Sequence, residues 1–354
     1  MKPVLRARES RWLAPAAVLV AVLLTLAVTA GPIRLAGANP AAAYQRYTIS
    51  PLTTLNGIGE VLLAATPLIF TGLAVAVAFR VGFYNIGAEG QFLAGGIATT
   101  AFALGLPDLP AVVALPGALL AGAVGGLAWG FLPAWLKRTA GIDEVVTTLL
   151  LNPVALLLVQ GLLNGPWRNS ATGFPDSDRY GPGYDLPRLA DGFRAHWGLV
   201  LGVLLVAVAW ILLSHTPLGL RLRAAGHAPG AASFSGIRVT TLQWRTALVS
   251  GAIAGLGGSV QVLGVQHQLT ASISSGYGYT GIVVATLGAL APGGVLLVAI
   301  LLGDIAVGAQ NASIALQLPT QMGAIVSSTL LLTVVAVMVL RRYRIAFRRL
   351  RAAR

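Results

Sequence analysis

The feature that most constrains this chain is how rarely a charge interrupts it. Apolar stretches of about 20 residues, the length needed to cross a hydrocarbon layer of about 30 Å, follow one another along most of the sequence. Only 10% of the 354 residues are charged and 56% are hydrophobic, where a soluble domain carries about 25% charged residues. A backbone crossing lipid must pair its own N–H and C=O groups, so the expected fold is all-α and membrane-spanning.

Ten apolar segments can be read: 13–30, 59–79, 86–106, 111–133, 144–163, 197–213, 244–265, 277–291, 292–310 and 319–340. A polar loop occupies 164–196, a basic loop 214–243 and a basic tail 341–354, all within one transmembrane domain spanning 1–354. Alternating the segments across a bilayer from an inside N-terminus puts 18 of the 24 Lys and Arg residues on the inner side, the bias that the positive-inside rule expects. Both termini are then cytoplasmic, in a multi-pass membrane protein. The first segment has the basic start of a signal peptide. Its 18 apolar residues are long for one, and a retained span is the preferred reading.

The formal net charge of +13 does not point to nucleic acid, because the basic residues cluster beside apolar segments. With no cysteine there is no disulfide, thiolate metal site or thiol nucleophile. The four histidines, His196, His215, His227 and His267, are scattered, so no metal site is expected. No nucleophile–base spacing suggests an enzyme, no GxxxxGK[ST] phosphate loop is present, and no cofactor is implied.

Segments 277–291 and 292–310 are short for a crossing and flank the turn APGG at 291–294, with SSGYGYTG at 274–281 before them. Broken backbone at membrane depth is tolerated only inside protein or beside a water-filled cavity, so this region is expected to line something. The stretch 87–105 echoes 276–290 in glycine spacing, and 119–130 echoes 298–308. The pairs lie five segments apart, an odd offset that makes the copies antiparallel, as in transporters built from inverted repeats. Chance similarity among Gly, Ala, Val and Leu runs is the alternative.

The segment FRVGFYNIGAEGQFLAGG, 79–96, stands out by placing Arg80, Asn85, Glu89 and Gln91 between two apolar runs. Asn85 can cap the following helix, and a carboxylate at Glu89 suits a helix N-terminus. Two readings stay open for Glu89 and Gln91: a polar knot holding helices together, or the wall of a gate. GFYNIGAEGQ closely resembles a motif of the membrane permease subunits of ATP-binding-cassette importers, in the nucleoside and simple-sugar branch related to ribose and branched-chain amino-acid permeases. GIDEVVTTLLLNPVALLLVQGLL at 141–163 and GYGYTGIVVATLGALAPGG at 276–294 resemble further landmarks of that group. The resemblance runs from about 59 to 340, is specific at these motifs and is weak in the loop 164–196. Asp304 departs from it, since an apolar or small residue is expected there.

In the basic loop, Pro229 can open a short helix and Gly236 can end it, making a rod of roughly 10 Å. A solvated positive-inside loop is the bland alternative. The resemblance makes this the coupling element that plugs into a separate ATPase, carried by Arg221, Arg223, Ala224, Gly226, Pro229, Ala231, Ala232, Gly236 and Ile237. Asp304, inside the bilayer, is a functional candidate or a hydrogen-bonded acid packing near Asn311. Asn152 can satisfy a carbonyl freed by Pro153 or face the pathway. Tyr277, Tyr279 and Thr280 can offer stacking faces and hydroxyls to a solute or sit at an interface. The loop 164–196 carries mixed charge, suited to docking a soluble protein or simply to solvation. The tail is expected to hold anionic lipid.

The resemblance implies an architecture similar to vitamin B12-type importers, a second permease chain (a heterodimer), an ATP-binding-cassette ATPase and an external substrate-binding lipoprotein. The implied cargo is a nucleoside, with simple sugars second. The rival reading is an ion-gradient-driven secondary transporter, which needs intramembrane acids; only Asp304 and Glu89 qualify.

Overall fold

The computed structural model describes residues 2–5, 13–169, 171–319 and 321–346. They form thirteen α-helices: α1 Leu13–Leu35, α2 Pro40–Thr48, α3 Leu55–Arg80, α4 Ala88–Gly105, α5 Ala111–Ala140, α6 Glu144–Asn164, α7 Trp197–His215, α8 Pro217–His227, α9 Pro229–Phe234, α10 Val239–Gln261, α11 Tyr277–Leu287, α12 Pro292–Leu316 and α13 Gln321–Arg342. Beyond these helices and short helical turns lies one antiparallel ribbon, β1 Lys2–Leu5 against β2 Tyr343–Ala346. Of the basic tail, 347–354 lies outside the described residues.

Two compact units arise, one from residues 1–57 with 304–354 and one from 58–303. In the smaller, α1 packs on α13 and on α2. The chain bends by 118° between the end of α1 and α2. Gly37 supplies the left-handed backbone of that turn (φ +87°), and Asn39 caps α2 by accepting the Ala41 N–H at 2.9 Å. Ile33, Ala43, Tyr47, Ala312, Leu318 and Val326 form this unit's core.

The larger unit is built around α4, which packs against α5, α6, α10 and α11 and has most of its residues buried. Neighbouring backbones approach closely because glycines recur at four-residue spacing. Gly122, Gly126 and Gly130 on α5 face Gly251 and Gly255 on α10, and a methyl group at Gly126 or Gly255 would overlap the opposite backbone. Among the described residues six helices are long and apolar enough to cross a membrane: α3, α5, α6, α7, α10 with its extension to Gln266, and α12. The bent pair α1–α2 makes seven. The chain is thus a helical, multi-pass membrane protein.

Four segments differ from expectation, the first being 86–106, whose helix α4 is not among these six. Segment 292–310, read as short, belongs to a 25-residue helix that meets the spanning criteria, whereas α11 has only 11 residues. Residues 217–227, read as loop, form α8. Loop 164–196 is not simply solvated: Tyr180 and Tyr184 insert into a core with Phe92, Leu263 and Leu269. Loop backbone also pairs with the chain after α10, through Ser177 N–H to Leu269 O (2.9 Å), Tyr180 N–H to His267 O (3.0 Å) and Leu186 N–H to Leu263 O (3.1 Å).

Candidate functional site: a pinned helix start and the element stacked on it

Arg80 ends α3, and the chain turns at Gly82 (φ +74°) before running irregularly to α4. Three side chains on one face of α6, spaced by four residues, bind this run in order. Glu144 accepts the Tyr84 N–H (3.2 Å), the Thr148 hydroxyl accepts the Ile86 N–H (3.2 Å), and Asn152 accepts the Gly90 N–H (2.9 Å) while donating to Ile86 O (3.0 Å). All three are buried. The Gly90 N–H is one of the donors that a helix start leaves unpaired, and the other two belong to the irregular run before α4. The Asn152 amide is thus spent on α4, beside Pro153 in sequence but not on a carbonyl of its own helix. Lys137 pairs with Glu144 and lies 5.4 Å from the Phe83 ring centroid, fastening the end of α5 to the same turn.

From the other side comes α10. Asn85, fully buried, donates to Gln91 Oε1 (2.8 Å) and to Ser250 Oγ (2.9 Å), and Ser250 donates onward to Ala74 O (2.7 Å). Asn85 Oδ1 accepts the Gly87 N–H (2.9 Å) and Gln91 Nε2 (3.2 Å). Asn85, Gln91 and Ser250 thereby tie α3, α4 and α10 together. Ser250, Glu144, Thr148 and Gln243 were not singled out from sequence. The four-residue spacing of Glu144, Thr148 and Asn152 along one helix was the available signal.

Glu89 looks elsewhere. Its Oε2 accepts the Gly278 N–H at 2.6 Å, so it caps α11 rather than α4. At about 16 Å, α11 is half the length of a crossing, and its N-terminal dipole faces this carboxylate. Tyr277 turns inward, its ring 5.7 Å from that of Phe92 and its carbonyl accepting the Thr71 hydroxyl (2.9 Å). Tyr279 is 43% exposed, and Thr280 is partly exposed. Arg80 Nε donates to Leu290 O (2.9 Å), holding the turn after α11, where Ala289 and Leu290 adopt positive φ. Asp304 lies in the smaller unit, 6% exposed, and its Oδ1 has no hydrogen-bond partner among the described residues.

The basic loop folds into α8 and α9, joined at Ala228. Gly219, Leu222, Ala225 and Ala232 are buried, and Arg223 donates to Leu213 O of α7 (2.7 Å). Pro229 begins α9, and Gly236 (φ +84°) follows its end. Gly226 lies against the Arg80 carbonyl and Gly82, so closely that a methyl group there would overlap backbone. Gln243 donates to Val81 O (3.2 Å). The element is therefore stacked on the turn that leads into the Asn85–Gln91 knot. Between α8 and α9 lies a mostly apolar groove of about 390 Å³, lined by Leu220, Ala224, Ala228 and Ala231. Phe234 projects beside it, 96% exposed, a residue that sequence reasoning passed over.

At the opposite end α10 continues into a π-helical turn, Val262–Gln266, stopped by His267 at φ +55°. His196 caps α7: its Nδ1 accepts the Gly198 N–H (3.1 Å), which puts the imidazole proton on Nε2. Burial, with His267 nearby, pushes the His196 imidazole down to about 4, so it is neutral. His267 Nδ1 lies 2.7 Å from Asp185 Oδ1. Burial raises the Tyr180 phenol, which shares a hydrogen bond of 2.7 Å with Thr100. The described residues contain no cluster of three or more His, Asp or Glu able to hold a metal.

A buried polar helix start, a half-length helix facing it and a short-helix element docked on the same turn form one connected arrangement in a multi-pass helical membrane protein. Over residues 57–335 the chain matches the family described as the permease component of the branched-chain amino acid transport system, and it belongs to that family. It is 34% identical over 344 residues to the glucose ABC transporter permease protein TsgB13 of Haloferax volcanii, covering 94% of this chain and 90% of that one. It is 33% identical to the guanosine ABC transporter permease protein NupP of Bacillus subtilis, covering 89% and 91%. It is also 33% identical to the nucleoside ABC transporter permease protein NupB of Lactococcus lactis, covering 77% and 78%.

Proposed function

We propose that this chain is the membrane-spanning half of an ATP-driven importer that moves nucleosides or, second, simple sugars. The names of its relatives support that cargo range. The observation that carries the coupling assignment is the stack of α8 and α9 on the Gly82 turn, continuous with the buried Asn85–Gln91 knot. A push on α9 would reach α4 and, through Glu89, α11 with little compliant backbone between. The partner subunit that pushes is an ATP-binding-cassette ATPase seated on the apolar groove and Phe234, with Arg221 at its rim.

In this reading the chain is a single permease domain with about ten spans. The pairs α4–α5 and α11–α12 are inverted repeats, in an architecture similar to vitamin B12-type importers. Both termini and the coupling segment 214–243 are cytoplasmic. A second, non-identical permease chain completes the passage. The solute path follows the exposed side of α11 at Tyr279 and Thr280, with Asn85, Glu89, Gln91 and Asn152 as the hinge behind it. The opposite face, including 164–196, receives an external substrate-binding lipoprotein.

The test is the double variant Arg221→Glu/Arg223→Glu together with Phe234→Asp made separately. Each is expected to reach the membrane at wild-type levels, to lose co-purifying ATPase and to reduce uptake at least about tenfold, the effect of removing a well-packed anchor. Full uptake in both would refute the coupling assignment. Asp304, buried and with its Oδ1 lacking a hydrogen-bond partner among the described residues, favours a second reading, transport driven by an ion gradient. Uptake that survives ATP depletion and stops with a proton ionophore would favour it.

A further inference from the structure

A second cleft adjoins the apolar groove of the coupling element, sharing Arg221, Ser235 and Ile237 with it and extending from there along α10. It holds about 410 Å³ and is lined by Arg221 of α8, by Ser235 and Gly236 after α9, and by Arg238, Thr241 and Arg245. Arg238, Thr241 and Arg245 fall at i, i+3 and i+7, so they share one face of the first two turns of α10. Arg238 is the N-cap residue of α10, no side chain caps that end, and its first turn has no acid. Cations at the positive end of a helix are electrostatically disfavoured. No carboxylate pairs with any of the three arginines among the described residues, while Glu144, Glu60 and Asp185 are engaged by Lys137, Arg194 and His267. All three guanidiniums are exposed. The arrangement suits a compact anion bearing several acceptor oxygens.

The aromatic neighbours of Arg245 point to which anion. Trp244 precedes Arg245 on α10; its ring lies 5.0 Å from that of Phe131, and Arg138 lies 5.5 Å from its centroid. Phe131 and Trp135, on the same end of α5, are 44% and 45% exposed. Exposed aromatic residues interleaved with basic ones mark the head-group level of a bilayer. Arg245 shares that level with Trp244. We infer that the Arg221–Arg238–Arg245 cleft binds the phosphate head group of an anionic phospholipid, beside the coupling element.

The test uses the full chain purified in detergent and native mass spectrometry with added phosphatidylglycerol or phosphatidylcholine. Expected is retention of phosphatidylglycerol over phosphatidylcholine, weakened about tenfold to thirtyfold in Arg238→Gln/Arg245→Gln, at about 1 kcal/mol per arginine. Arg238→Lys/Arg245→Lys restores most of it. Arg34→Gln/Arg46→Gln, which removes two charges elsewhere, leaves it unchanged. Equal retention in the cleft variant overturns the proposal. Displacement by millimolar inorganic phosphate overturns it in favour of a soluble anion. Loss of co-purifying ATPase with unchanged lipid retention overturns it in favour of a protein contact. Should the Gln variant fail to fold, a photoactivatable phosphatidylglycerol on the wild-type chain decides: label on peptides covering 221–245 supports the site, and label confined elsewhere refutes it.

Discussion

A carboxylate in the first turn of a helix ordinarily stabilises that helix, yet Glu89 spends its oxygen on the start of α11, 189 residues away. The residue type and its position were legible in the sequence; the recipient was not, because a cap donated across the fold leaves no local spacing to read. Glu89→Gln keeps an acceptor oxygen and Glu89→Ala removes it. The alanine variant is expected to lose about 1–3 kcal/mol and the glutamine variant less, read as melting temperature in detergent. Were the two to melt alike, the cap would not matter. His196 gives a pH signature. Its imidazole is held at about 4 in the fold against 6.5 ordinarily, so the unfolded chain binds the extra proton first as pH falls. The stability due to a neutral His196 is complete above about 6.5 and is lost as pH drops towards 4, roughly 3 kcal/mol in all. In His196→Asn, which keeps an N-cap acceptor, melting temperature should vary less between pH 7 and pH 4.5.

At the scale of elements, long apolar runs announced α3, α5, α6, α7 and α10 because a lipid-crossing helix needs length and apolarity and little else. The elements that escaped are those whose reason to form lies in a neighbour. The helix α8 has too few apolar residues to declare itself and is secured by Gly226 against the Arg80 carbonyl. Loop 164–196 reads as polar, but its Tyr180 and Tyr184 are buried by the ends of other helices. Glycines separate into two kinds that composition cannot distinguish. Gly255→Ala forces the α5 and α10 backbones apart and is expected to lower folded yield and melting temperature severely. Gly230→Ala in α9 meets open space and should be neutral or stabilise the short helix by up to about 1 kcal/mol. Comparable losses from both would contradict the packing described for α5 and α10.

For the whole molecule, membership of a permease family places ATP hydrolysis in a separate subunit. Purified alone and reconstituted in liposomes, it should neither hydrolyse ATP nor accumulate solute; accumulation without a partner would end the reading. With Glu89 and Gln91 in its first turns, α4 is not among the helices apolar enough to cross a membrane, and it lives instead sheathed by α5, α6, α10 and α11. Such a helix is a poor candidate to leave the translocation channel for lipid by itself. It must linger there, or sit askew at the bilayer surface, until later-made helices emerge to enclose it. A ribosome stalled just past residue 105 should therefore hold α4 accessible to water-soluble labels, and one stalled past residue 266 should not.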